Sequence, residues 1–193
     1  KTDGFAASSE PPSETPLLHS EHSYPDFPIS VLNKTMRKVL TERRDVLLDK
    51  SPNKGCYELR EAIRLYLARN RGIQVSTEQI VIGSGSEYLY GLIVELLGRN
   101  FIYAIEAPSY KKIEQVYQAT EITYDSLPLT NAGIDSKALA NTKATVLHTT
   151  PYRSYPSGVT ATASKRHEYV HWAEQNQRYI IEDDFESEFS IST

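Results

Sequence analysis

The chain has 193 residues, 39% of them hydrophobic and 24% charged, with a formal net charge of −4 and a sequence pI of about 5.8. That length allows one sizeable core or part of a larger domain, and the acidic balance excludes nucleic-acid binding through a general basic face. The lone Cys56 excludes an internal disulfide, and no apolar run approaches the roughly 20 residues a bilayer span needs, so a cytoplasmic protein without a membrane segment is expected.

Residues 1–27 are expected to be a linker or arm, disordered by composition: Ser8, Ser9, Glu10, Pro11, Pro12 and Ser13 set the tone, and no apolar period is present. From Pro28 a helix is predicted, because Leu32, Met36, Val39 and Leu40 recur at i, i+4, i+7 and i+8; it should fade near Arg44. Residues 51–55 (SPNKG) read as a turn. A second helix is predicted over 57–70, with Leu59, Ile63, Tyr66 and Leu67 on one side and Gly72 just past its end.

Strands and helices then alternate. A short β-branched strand is predicted at 79–82, the glycine-rich turn GSGSE at 83–87, and a helix packing through Leu89, Leu92, Ile93, Leu96 and Leu97. A strand follows at 101–105, ending in the loop EAPSY (106–110). Ile113, Val116 and Tyr117 mark a helix, 122–124 a strand, 135–140 a short helix, and 145–150 a strand that runs into PYRSYPSG. The last helix, 164–177, should pack through Tyr169, Val170 and Ala173. It leads to a strand at 179–181 that ends in Glu182, Asp183 and Asp184. Strands spaced by helices predict an α/β fold with a mostly parallel sheet.

Three strand ends and one glycine turn carry ligand-type residues. Glycines 83 and 85 lead into a helix N-terminus, whose free amides suit a phosphate; such a turn also serves as a plain tight connection. It is neither a P-loop, since no Lys-Ser/Thr follows, nor the dinucleotide fingerprint, since the third glycine is missing. Tyr110, beyond Pro108, could stack on a flat ring or cover the sheet edge. Arg153, Tyr155, Pro156 and Gly158 build a rigid turn. The acids after the last strand are either a solvated strand end or a functional site, because open α/β sheets bind ligands at the carboxyl ends of their strands. A carboxylate such as Asp183 would keep a pyridine nitrogen protonated, as pyridoxal chemistry requires.

Six stretches occur in order: YPDFP (24–28), KGCYELREAIRLYLARNRGI (54–73), QIVIGSGSEYLYGLI (79–93), EAPSY (106–110), TPYRSYPSGV (150–159) and IIEDDFESEF (180–189). Together they resemble the pyridoxal-phosphate aminotransferase fold, and more narrowly the effector domain of MocR/GabR-type regulators of the GntR superfamily. The resemblance implies the three-layer α/β/α architecture of the aspartate-aminotransferase-like, PLP-dependent transferases, here incomplete. It implies a cofactor cradle at Gly85, Ser86 and Glu87, a ring-stacking Tyr110, a pyridine-nitrogen partner in Asp183, and Tyr155 where many aminotransferases carry an asparagine.

This sequence also departs from the family pattern. Glu87 stands for a glutamine, Phe185 for a tyrosine, Lys50 for a partner-subunit tyrosine, and Tyr152, Arg153 and Ser154 for Ser-His-Gln. The family's Schiff-base lysine, in a Ser-Lys motif, is expected downstream of residue 193, so no catalytic residue is assigned and this stretch alone should be inactive. On the resemblance, residues 28–193 are the first part of the large domain. A winged-helix DNA-binding domain is expected before the arm, and the whole is expected to be a homodimer that binds pyridoxal 5′-phosphate and an amino-compound effector. Two other readings stand beside this one: a free-standing class I/II aminotransferase, and a magnesium-dependent enzyme using Glu182, Asp183 and Asp184 as oxygen ligands.

Overall fold

The computed structural model describes residues 27–175 and 177–185, so the arm at 1–26 and the acidic and aromatic run at 186–189 lie outside the described residues. The chain divides into two compact units, Lys1–Lys50 and Ser51–Thr193.

In the first unit, α1 (Ile29–Glu42) begins right after Pro28, which has no amide to leave unpaired at a helix start. Its predicted apolar stripe is present, but Leu32, Met36, Val39 and Leu40 are all exposed. A short helix α2 (Arg44–Leu48) follows.

The second unit opens with α3 (Tyr57–Tyr66), whose last turn widens over Leu67–Arg71 before Gly72 ends it at φ +66°. The predicted face is only partly buried: Leu59 and Tyr66 are exposed, and the most buried residue is Arg60. Its guanidinium is satisfied by the carbonyl oxygens of Gly55 at 3.2 Å and Thr77 at 2.7 Å, so a charged side chain can occupy the inside of the helix.

The strand predicted at 79–82 does not form. Thr77–Gln79 makes a short 3-10 turn instead, fixed by the Ser76 amide donating to Gln79 Oε1 at 3.0 Å. Beyond it the Ile82 amide donates to Lys54 O at 2.9 Å. β-Branched composition favours extended backbone, but a strand also needs a neighbouring strand to pair with, and none is present here among the described residues.

Among the described residues the sheet has five strands, in the order β3-β2-β1-β4-β5. β1 (Tyr103–Ala107), β2 (Tyr124–Thr130), β4 (Val146–Thr149) and β5 (Tyr179–Glu182) run parallel; β3 (Gly133–Ile134) turns back against the end of β2. The sequence reading placed the end of β1 two residues early and stopped β2 where it starts. The polar Asp125, Ser126 and Thr130 and the proline at 128 hide β2 from an apolar-run criterion.

Side-chain alternation sorts the central strands into two cores. Tyr103, Ile105 and Val146 pack with Tyr90 and Val94 of α4 (Ser86–Leu97) and Ile113 and Tyr117 of α5 (Lys111–Ala119). Ala104 and Leu147 pack on the other side with Leu139 of α6 (Ser136–Asn141) and Tyr169 and Trp172 of α7 (Ala163–Glu174). These are the three layers of the expected α/β/α fold. Two helical faces differ from expectation: α4 buries Tyr90 and Val94 and leaves Leu96 exposed, and α7 buries Trp172 while Val170 is exposed. Among the described residues no helix is long and apolar enough to cross a membrane.

This packing sets a direct comparison within α7. Trp172→Ala should cost about 4 kcal/mol of unfolding free energy, and Val170→Ala no more than about 0.5 kcal/mol. Urea denaturation of both variants measures the difference, and equal losses would contradict the burial pattern.

Candidate functional site

The sheet order creates a switch point between β1 and β4: the chain leaves β1 toward β2 on one side and leaves β4 toward β5 on the other. Beyond the carboxyl ends of these strands lies a cavity of about 360 Å³. Tyr110 enters it from the loop after β1, Thr150 and Tyr155 from the segment after β4, and Asp183 and Phe185 from beyond β5. The remaining wall is Ser86 and Tyr90, one turn apart on α4.

The α4 end is built by Gly85, which precedes the helix at φ +104°, a conformation that L side chains resist. Ser86, the first residue of this twelve-residue helix, lines the cavity, at the helix end where the first amides have no partner within the helix. Glu87, the next residue, is rotated off this face and pairs with Lys112 of α5 at 3.3 Å, half exposed. Tyr110 and Tyr155 meet edge to face, with ring centroids 5.9 Å apart at 82°.

The acids after β5 separate as period-two alternation requires. Asp183 lines the cavity, its amide held by Thr149 O at 2.9 Å and its Oδ2 accepting from the Tyr90 hydroxyl. Asp184 turns away to the Arg71 guanidinium. Glu182, Asp183 and Asp184 thus do not converge, and among the described residues no group of three His, Cys, Asp or Glu is placed to hold a metal ion.

Below the cavity, Glu106 is a buried carboxylate. It lies in β1, not in the loop predicted at 106–110, and it is 6% exposed. Thr149 Oγ1 donates to it at 2.6 Å, the Thr150 amide at 3.0 Å, and Ser154 Oγ completes the set. Burial raises its pKa, while these hydrogen bonds pull the other way. On the opposite face of β4, His148 is almost wholly buried; its Nδ1 meets the Tyr117 hydroxyl at 2.7 Å, and its ring meets Tyr90 edge-on at 4.9 Å.

Of the residues singled out in sequence, Ser86, Tyr110, Tyr155 and Asp183 share the cavity, Gly85 shapes its helix end, and Glu87 faces Lys112. Tyr90, Glu106 and His148 were missed. Tyr90 could have been found from its spacing, four residues after Ser86 on a helix.

The chain matches the Aminotransferase class I and II family over residues 20–189, and it belongs to that family. Relatives include the HTH-type transcriptional regulator YdeL of Bacillus subtilis, 28% identical over 84% of this chain and 35% of its own length. Another is the HTH-type pyridoxine biosynthesis transcriptional regulator PdxR of Corynebacterium glutamicum, 31% identical over 72% of this chain and 30% of its own. Among solved structures, a kynurenine aminotransferase of Pyrococcus horikoshii in complex with PMP superposes with a TM-score of 0.73, at 27% identity, over 82% of this chain and 41% of its own. The chain thus spans about a third of the length of these regulators.

The buried imidazole makes a testable pH statement. Burial lowers the His148 pKa from 6.5 to about 4, so the unfolded chain takes up the proton first. Its contribution to stability is present above pH 6.5 and is lost as pH falls through about 4, a change of about 3 kcal/mol. His148→Phe should flatten the acid limb of the stability–pH curve, measured by urea denaturation at several pH values; an unchanged slope would refute the assignment.

Proposed function

We propose that this chain is the first part of the effector-sensing, aminotransferase-like domain of a MocR/GabR-type regulator, and that it contributes half of a pyridoxal 5′-phosphate site. The observation that carries this is Asp183: a carboxylate at the end of a parallel strand, in the same cavity as a helix N-terminus and an aromatic wall. The residues present fit the group. The Ser86 hydroxyl and the first amides of α4, beginning at Gly85, would hold the phosphate. Tyr110 and Tyr155 would bound the ring, and Asp183 would hold its nitrogen protonated through a charge-assisted hydrogen bond. Glu87, engaged by Lys112, would act at this site only through its backbone. When bound, the protonated pyridine ring supplies an electron sink.

The regulator reading is supported by the kind of relatives the chain has, HTH-type transcription regulators among them. On this reading residues 1–27 are an arm behind a winged-helix domain, through which alone the cytoplasmic protein reaches DNA. The amino compound is sensed at the cofactor, and the exposed apolar stripe of α1 supports a homodimer. A free-standing aminotransferase is the second reading, favoured by the likeness to the kynurenine aminotransferase. Steady transamination by an intact protein that does not bind DNA would decide for it.

The cofactor reading is tested in the intact protein. Asp183→Asn should weaken pyridoxal 5′-phosphate binding about tenfold or more, and Asp184→Asn no more than about twofold, with circular dichroism unchanged. Equilibrium dialysis and the absorbance of the bound cofactor supply the readout. The reverse order of effects, or no effect from either variant, would overturn the assignment of Asp183.

A further inference from the structure

The resemblance given above assigns Tyr90 no role, yet among the described residues it is the side chain that donates a hydrogen bond to Asp183. It lies 6% exposed, one turn into α4. Its ring packs against His148, which Tyr117 holds from the other side, so the phenol is fixed by a buried network rather than by solvent. Burial, then the bond to Asp183, raises its pKa, while Ser86 acts in the opposite sense; the hydroxyl stays protonated and is a donor. Asp183 is thereby tied at two points, its amide to Thr149 and its Oδ2 to Tyr90. Among the described residues no side chain donates to Oδ1, which is thus the oxygen left for a ligand in the cavity.

We propose that Tyr90 is a positioning residue: it commits Asp183 Oδ2, so that Oδ1 is presented in one orientation to the protonated ring nitrogen of the cofactor. This rests on the cofactor reading above. Tyr90 also joins the two ends of the site, because Ser86 on the same helical face stands at the phosphate end. A displacement of α4 at its N-terminus would then reach the ring-nitrogen partner through a single side chain.

The test is a double-mutant cycle in the intact protein, with pyridoxamine 5′-phosphate binding measured by equilibrium dialysis for wild type, Tyr90→Phe, Asp183→Ala and the double variant. Tyr90→Phe keeps the ring packed on His148 and removes only the hydroxyl. It should weaken binding about tenfold in the wild-type background and less than about twofold in the Asp183→Ala background. The absorbance maximum of the bound cofactor should shift in Tyr90→Phe as in Asp183→Ala. An equal loss in both backgrounds would make Tyr90 a mere wall of the cavity and overturn the inference while leaving the cofactor reading intact. No loss in the wild-type background would overturn it likewise. A wild-type protein that does not bind the probe would overturn the cofactor reading, and this inference with it.

Discussion

The geometry of the cavity depends on one buried carboxylate. Glu106 gathers the Thr149 hydroxyl, the Thr150 amide and the Ser154 hydroxyl, and so fastens the end of β1 to the segment that leaves β4. Those two strands flank the switch point, and Tyr110, Thr150 and Tyr155 reach the cavity from the segments that follow them. A charge in this position is costly unless every lone pair is occupied, and removing its donors would leave it stranded. That requirement constrains the side chains at 149 and 154, which supply hydroxyls, whereas at 150 the donor is the backbone amide and only proline is excluded.

From this anchor the site is assembled outward. Thr149 serves twice: its side chain binds Glu106 and its carbonyl receives the Asp183 amide, so β1, β4 and the end of β5 are linked through one residue. Tyr90 then ties Asp183 to α4 on the other face of the sheet. The cavity is therefore framed by a continuous path of hydrogen bonds that crosses from one packing layer to the other. Such a frame favours a single arrangement of the acid before any ligand arrives.

How much of this was legible in the sequence follows from the signals each residue carries. The glycine turn before α4 and the alternation of Asp183 and Asp184 were readable, because φ > 0 and period-two geometry are local properties. The burial of Glu106 was not, since its partners lie more than forty positions away and an acid looks like the start of a loop. Residues 79–82 misled in the opposite way, with strand composition but no strand to pair with. Tyr90 is outside the apolar face predicted for α4, and a tyrosine in a sequence does not reveal whether its hydroxyl has a partner.

The far side of the sheet carries a consequence of its own. β3 is only two residues long, and its turn holds Gly133 so close to the Tyr169 hydroxyl that an added Cβ would lie 2.5 Å from it. Pro128 removes one amide from β2, and Thr142, just past α6, binds Asp125 near the start of that strand. This margin offers few free backbone donors and acceptors to an incoming chain, so it resists strand addition and the aggregation that follows from it. A second copy would find better purchase on side-chain surface than on backbone here.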